Sequence, residues 1–309
     1  MSGGSGGPRY TNRSHRDAAS SFLVTRRLTP PRSQEWKASG LEVSTDSDRS
    51  ARMLDLAIEM IVGVYGDPYG TALAAAEEDE DFALPVCLLL WLKLLGSSGN
   101  LDDKDVVELV KRMERAASSR EHTDREKGIV SAVLEISRGR IEAAIDLVEQ
   151  VAVLSPHDAM LAKLQNDLVY FTGLSRRMRD FNARALSAMN DKTPLIGYVY
   201  GMYAFTCEES DDFAKALVYA DKALEVNERD VWAIHAKAHV YETMGLAQEG
   251  YDFLMARKPQ WEDSNLACHC YWHLGLCHLE LGKKDEALSL FDDVRSTQIL
   301  QSPCAVPSP

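Results

Sequence analysis

Two histidine pairs are the residues in this sequence best placed to do chemistry together. His235 and His239 are four apart, as are His269 and His273, and the second pair follows the first by 34 residues. On a helix, residues at i and i+4 project from one face. An offset of one structural repeat then sets the two faces side by side on neighbouring helices. Trp232, Glu242, Tyr271 and Trp272 surround them. Three readings compete. The rings could simply pack and hydrogen-bond. They could line a groove, with Trp232, His235, His239, Glu242, His269, Trp272 and His273 recognising a peptide or a small anionic or aromatic ligand. Or the four imidazoles could bind a metal, with Glu242 as a further ligand or as the partner of a ligand's second nitrogen. The metal reading needs the two helices within ~10 Å, which helix packing permits. Catalytic zinc helices place Glu beside the first His, where this chain has Ala236. Cys268 and Cys270 flank His269 and point away from its face.

Other chemistry finds little support. There is no nucleophile elbow, phosphate-cradling glycine loop or dinucleotide fingerprint, so no catalytic residue is assigned and no cofactor is expected. The acidic run Glu77 to Asp81 lacks the ordered spacing of a calcium loop and reads as a solvated inter-helix turn. The formal charge of −13 opposes general nucleic-acid binding, because phosphate contacts need clustered Lys and Arg. The charge is uneven: the first 34 residues hold six arginines (Arg9, Arg13, Arg16, Arg26, Arg27 and Arg32) against Asp17 alone. The six cysteines show no paired spacing, and the longest apolar run, Leu84 to Leu95, falls short of the ~20 residues that span a bilayer. A reduced, cytoplasmic protein without membrane insertion is expected. The Arg-rich, acid-poor leader leaves a mitochondrial address as the alternative.

The elements that must position the histidines are helices. Ala51, Leu54, Ile58, Ile61 and Val62 mark an apolar stripe, Asp81 to Leu95 a second and nearly all-round apolar helix, and Leu101 to Ala117 a third. Thr123 and Glu126 have the spacing of a capping box opening a fourth. From Arg125 the helices come in pairs. Gly139 and Gly173 are 34 apart, and so are Asp211 and Gly245. Small residues such as Ala144, Ala216 and Ala287 suit close helix crossings, and Phe213 and Phe291 fill the space beside them. This is the tetratricopeptide pattern, in which single pairs leave apolar faces wet and stacking buries them. The expected fold is all-α, an α-solenoid of tetratricopeptide-like helix pairs. Its expected organisation is a disordered leader (1–33), N-terminal helices of the solenoid (34–124), five repeats (125–298) and a disordered tail (299–309). The repeats run Arg125–Asp158, Ala159–Lys192, Gly197–Asp230, Val231–Ser264 and Asn265–Gln298.

Several blocks together resemble the tetratricopeptide repeat protein 38 family. They are Ser33-Gln-Glu-Trp36-Lys, Arg125-Glu126 with Ala132-Val133, the run Val231 to Glu242, and Trp261-Glu-Asp-Ser-Asn-Leu-Ala-Cys268-His269-Cys-Tyr271-Trp272-His273 continuing to Glu286-Ala287-Leu288. The resemblance covers roughly Ser33 to Val294. It implies an α-solenoid without an established enzymatic activity, and it assigns the histidines no role. The chain departs from the family at its leader and at Gln301 to Pro309, where the prolines forbid a further helix. That suggests a shortened form whose last repeat is uncapped and prone to self-association. The leading expectation is a non-enzymatic scaffold or adaptor gripping a protein or peptide in a concave groove, with histidines that change charge between about pH 5 and 7. The alternative is a metal-binding protein, or an enzyme, using His235, His239, His269 and His273.

Overall fold

The computed structural model describes residues 37, 39–95 and 100–297, and the expected leader and tail lie outside them. Among the described residues there are fifteen helices and no strand. In chain order these are α1 (Asp48–Gly63), α2 (Pro68–Glu78), α3 (Ala83–Leu95), α4 (Lys104–Ser119), α5 (Asp124–Ser137), α6 (Ile141–Leu154), α7 (Ala159–Tyr170) and α8 (Ser175–Ser187). They continue as α9 (Ile196–Glu208), α10 (Phe213–Val226), α11 (Val231–Thr243), α12 (Ala247–Ala256), the short α13 (Lys258–Trp261), α14 (Ala267–Glu280) and α15 (Lys284–Thr297). No helix among the described residues is long and apolar enough to cross a membrane.

Local chemistry sets the starts. Ser47, Asp67, Asp103, Asp158, Asp212 and Asp230 each accept a hydrogen bond from a backbone N–H in the first turn of the following helix. These donors have no partner inside the helix. Thr123 and Glu126 form the reciprocal capping box their spacing predicts. Helix α2 was not expected from the apolar pattern. Asp67 caps it and Pro68 pre-sets its first turn, but its alanines give the helix little contrast between faces. It takes up Glu77 and Glu78, and the acidic run is only partly a solvated turn. The Asp79 carboxylate accepts from Arg120 at 2.6 Å and from the Thr45 hydroxyl at 2.6 Å.

The helices pack as successive hairpins, α5 on α6, α7 on α8, α9 on α10, α11 on α12 and α14 on α15, and first helices contact the first helix of the next pair. The result is an all-α solenoid of tetratricopeptide-like helix pairs. Ala144 and Ala216 are buried as close crossings require, whereas Phe291 is 60% exposed because no helix among the described residues covers the outer side of α15.

The end of α1 covers part of the face formed by the first helices. Helix α1 packs against α7, and its end reaches far along the array. The Trp232 indole donates to the Val62 carbonyl at 3.1 Å, the Asn265 amide to Val64 at 2.9 Å, and the Asn265 side chain to Gly66 at 3.1 Å. Tyr198 of α9 lies against the α carbon of Gly63. Twelve of the thirteen residues of α9 are buried, more than a surface helix with one wet face would show.

Two predictions follow from the α9–α11 crossing. A methyl group at Gly201 would meet the Asp230 carboxylate oxygens at 2.5 and 2.6 Å. Gly201→Ala is therefore expected to destabilise by roughly 1–3 kcal/mol, outweighing the ~0.5–1 kcal/mol that Ala gains in a helix, measured as a lowered denaturant midpoint. Asp230 is fully buried; one oxygen caps α11 and the other makes no hydrogen bond. Burial pushes its carboxyl up to about 8. The folded chain then keeps a proton that the unfolded chain releases above pH ~4. Stability from this group falls as pH rises from about 4 to 8. Asp230→Asn still caps and carries no charge, so its urea midpoint should lose that part of the decline between pH 5 and pH 8.

Candidate functional site

Repeat register explains which residues meet. Gly139, Gly173, Asp211 and Gly245 hold left-handed backbone at the turn within the first four of these pairs, with φ of 71°, 71°, 62° and 70°, and Gly282 does so in the fifth at 75°. Ten and six residues before the first four stand Ile129 and Val133, then Lys163 and Asp167, then Gly201 and Phe205, then His235 and His239. The same two positions of successive first helices thus run from apolar, to an ion pair, to an aromatic, to the histidine pair. Lys163 pairs with Asp167, which also accepts from the Trp91 indole at 3.0 Å, and the Lys163 ammonium sits 5.1 Å from the Trp232 ring.

The four histidines converge. One ring nitrogen from each of His235, His239, His269 and His273 lies within 4.8 Å of all the others. Within α11 the Nε2 atoms of His235 and His239 are 2.8 Å apart; within α14 those of His269 and His273 are 3.2 Å apart. Two lone pairs facing each other at 2.8 Å would repel, so either one proton or one cation belongs between them. His235 and His273 are 4% and 2% exposed, while His239 and His269 are half-buried on the open side.

Two carboxylates flank the cluster. Glu242 Oε2 lies 2.9 Å from His273 Nδ1, and Glu208 Oε2, from α9, lies 3.3 Å from His239 Nδ1. A proton held on Nδ1 by a carboxylate leaves the Nε2 lone pair free to bind. Burial is the main influence on the imidazoles: it holds His269 down at about 4, His235 well below its ordinary value and His273 below it, and neighbouring histidines add to the effect. The hydrogen bond from His273 lowers the Glu242 carboxyl. Desolvation thus favours the neutral form of His235, His269 and His273, and the bond to His273 favours the ionised form of Glu242. The charge change expected between pH 5 and 7 is moved to lower pH for these three imidazoles, because desolvation penalises their protonated form.

The other expected groove residues divide. Trp232 is turned to α1 through its bond to Val62. Trp272 is 52% exposed and stacks on His269 with ring centroids 5.3 Å apart. Cys270 is buried and Cys268 partly so, and neither is among the converging groups. Sequence reasoning missed Glu208 and Phe205. Phe205 lies 5.4 Å from His235 and 6.1 Å from His239 between ring centroids. Their places were legible only by counting back from Asp211, a turn residue whose neighbours carry no histidine.

The Trp261-to-Asn265 block has a positioning role. The Trp261 indole, fully buried, donates to the Leu254 carbonyl at 2.9 Å, and its ring meets Tyr271 edge-on at 4.8 Å. Asn265 then ties the start of α14 to the end of α1.

No family model matches the chain. Among solved structures it is similar to YrrB, described as a TPR protein with an unusual peptide-binding site, at 15% identity over 74% of this chain and 94% of that one, with a TM-score of 0.37.

Proposed function

We propose that this protein binds a divalent transition-metal ion through His235, His239, His269 and His273. The observation that carries the reading is the convergence of four imidazole nitrogens to within 4.8 Å. Tetrahedral Zn²⁺ with bonds of ~2.0–2.1 Å sets its ligands about 3.3 Å apart. The distances within each helix, 2.8 and 3.2 Å, need a few tenths of an ångström. The cross-helix distances are at most 4.8 Å and need no more than about 1.5 Å, within reach of side-chain rotation. All-nitrogen ligation suits zinc, copper, nickel or iron over magnesium or calcium, which prefer oxygen. Glu242 holds the Nδ1 proton of His273 and raises that ring's basicity, while Glu208 stands beside His239 Nδ1 without a hydrogen bond.

Four protein ligands make a closed position, the type that clips structure together. Here the clip joins α11 to α14. Protein prepared without chelator should carry at least one such ion per chain by elemental analysis, and His239→Ala with His269→Ala should lose it. Chelation should lower the melting temperature of the wild type and leave the double variant unchanged. Free metal at a hundred times its Kd corresponds to about 2.7 kcal/mol of stabilisation. A chain that stays metal-free after reloading would overturn the reading.

Partner binding is a second reading, favoured by one observation. Aromatic rings run from Phe171 through Tyr170 and Phe205 to the histidines and Trp272. The end residues Phe171 and Trp272 are 62% and 52% exposed. This is a scaffold surface beside the metal cluster, in place of a groove through Trp232. Phe171→Ala with Trp272→Ala should reduce recovery of a protein partner by at least tenfold while leaving metal content unchanged. Undiminished recovery would remove this surface from consideration.

A further inference from the structure

We propose that the four-histidine position is one half of a two-ion centre, whose second divalent transition-metal ion is held by His239, Glu208 and Glu209. The inference rests on the metal reading above and extends it to a site with different chemistry.

Ligand atoms of Glu208, Glu209 and His239 also lie within 4.8 Å of one another. His239 belongs to both groups and shows each a different edge of its ring. Its Nε2 faces His235 at 2.8 Å, and its Nδ1 faces Glu208 at 3.3 Å. Glu208 supplies a second, independent observation. It is 7% exposed, and its Oε2 is buried without a hydrogen bond although His239 Nδ1 is nearby. A buried carboxylate oxygen so placed loses its hydration without compensation, a cost that a coordinated cation removes.

Charge points the same way. Burial first, and then the neighbouring Glu208, raises the Glu209 carboxyl, and a cation placed between the two carboxyls would relieve that repulsion. A second ion entering between Glu208, Glu209 and His239 takes the place of the Nδ1 proton. One proton leaves to solvent, and the ring becomes an imidazolate bonded through both nitrogens. The two ions would then sit about 6 Å apart, given metal–nitrogen bonds of ~2.0–2.1 Å on either side of the ring.

The two positions are unlike. The first is filled by four histidines. The second has three protein ligands, two of them, His239 and Glu209, half-exposed, which leaves coordination open to water or an incoming oxygen or nitrogen ligand.

The test uses the full chain, stripped with chelator, loaded with Cu²⁺ or Zn²⁺ and dialysed before the metal is counted. Two ions per chain are expected for the wild type and one for Glu209→Gln. Loaded with Cu²⁺, the wild type should give the electron-paramagnetic spectrum of a magnetically coupled pair, and Glu209→Gln that of an isolated ion. One ion per wild-type chain overturns the two-ion centre and leaves the four-histidine site standing. No ion overturns both. Two ions retained in a folded Glu209→Gln, or two uncoupled copper signals in the wild type, overturn the placement of the second ion. Should Glu209→Gln fail to fold, the wild-type count and spectrum decide alone.

Discussion

The carbonyl groups at the end of α1 constrain the rest of the array. The last four carbonyls of a helix have no partner within it and must find one elsewhere. Here Val62 takes the Trp232 indole, and Val64, beyond the helix end, takes the Asn265 amide. The first of these bonds spans 170 residues of chain. Val64 pays for its place with left-handed backbone at φ 55°, strained for a β-branched side chain and kept because the surrounding contacts over-determine it. One helix end thus fixes the start of α11 and the start of α14 against the same point. Helices pinned at the same end keep a common register, and that is what the His235/His239 and His269/His273 faces need in order to meet.

This geometry separates two roles that a tetratricopeptide array often merges. The inner face near the starts of α7, α9 and α11 is used internally, by α1 and by the Lys163–Asp167 pair beneath Trp232. Toward the other end of the first helices the inner positions turn polar and aromatic, and the site forms there. Partial burial is central to its chemistry. Burial holds the His235 and His273 imidazoles below their ordinary values and so disfavours their protonated form, while His239 and His269 are only half-buried. Glu208 and Glu242 approach from α9 and α11, so three successive helix pairs share in one centre.

Much of this was legible in the residues. Periods of 34 between turn residues, small residues at crossings and the capping box at Thr123 are local signals. They depend on helix geometry alone: the capping box forms, Ala144 and Ala216 are buried, and Gly139, Gly173, Asp211 and Gly245 all hold left-handed turns. The histidine pairs were legible as pairs for the same reason: i and i+4 share a face whatever surrounds them. Other features were not. Helix α2 is alanine-rich with weak contrast between faces, so no periodicity announced it. Glu208 and Phe205 come from a repeat with no histidine, and only the packing of α9 against α11 brings them in.

The sequence by itself determined the all-α class, the helix pairs and the two histidine faces, because each follows from short-range spacing along one helix or from one repeat to the next. Only the tertiary structure decided that the end of α1 meets the starts of α11 and α14, that Trp232 bonds to a backbone carbonyl there, and that four nitrogens and two carboxylates converge. Those outcomes depend on orphaned helix-end groups finding partners across nearly 200 residues, and no local pattern encodes which partner they find.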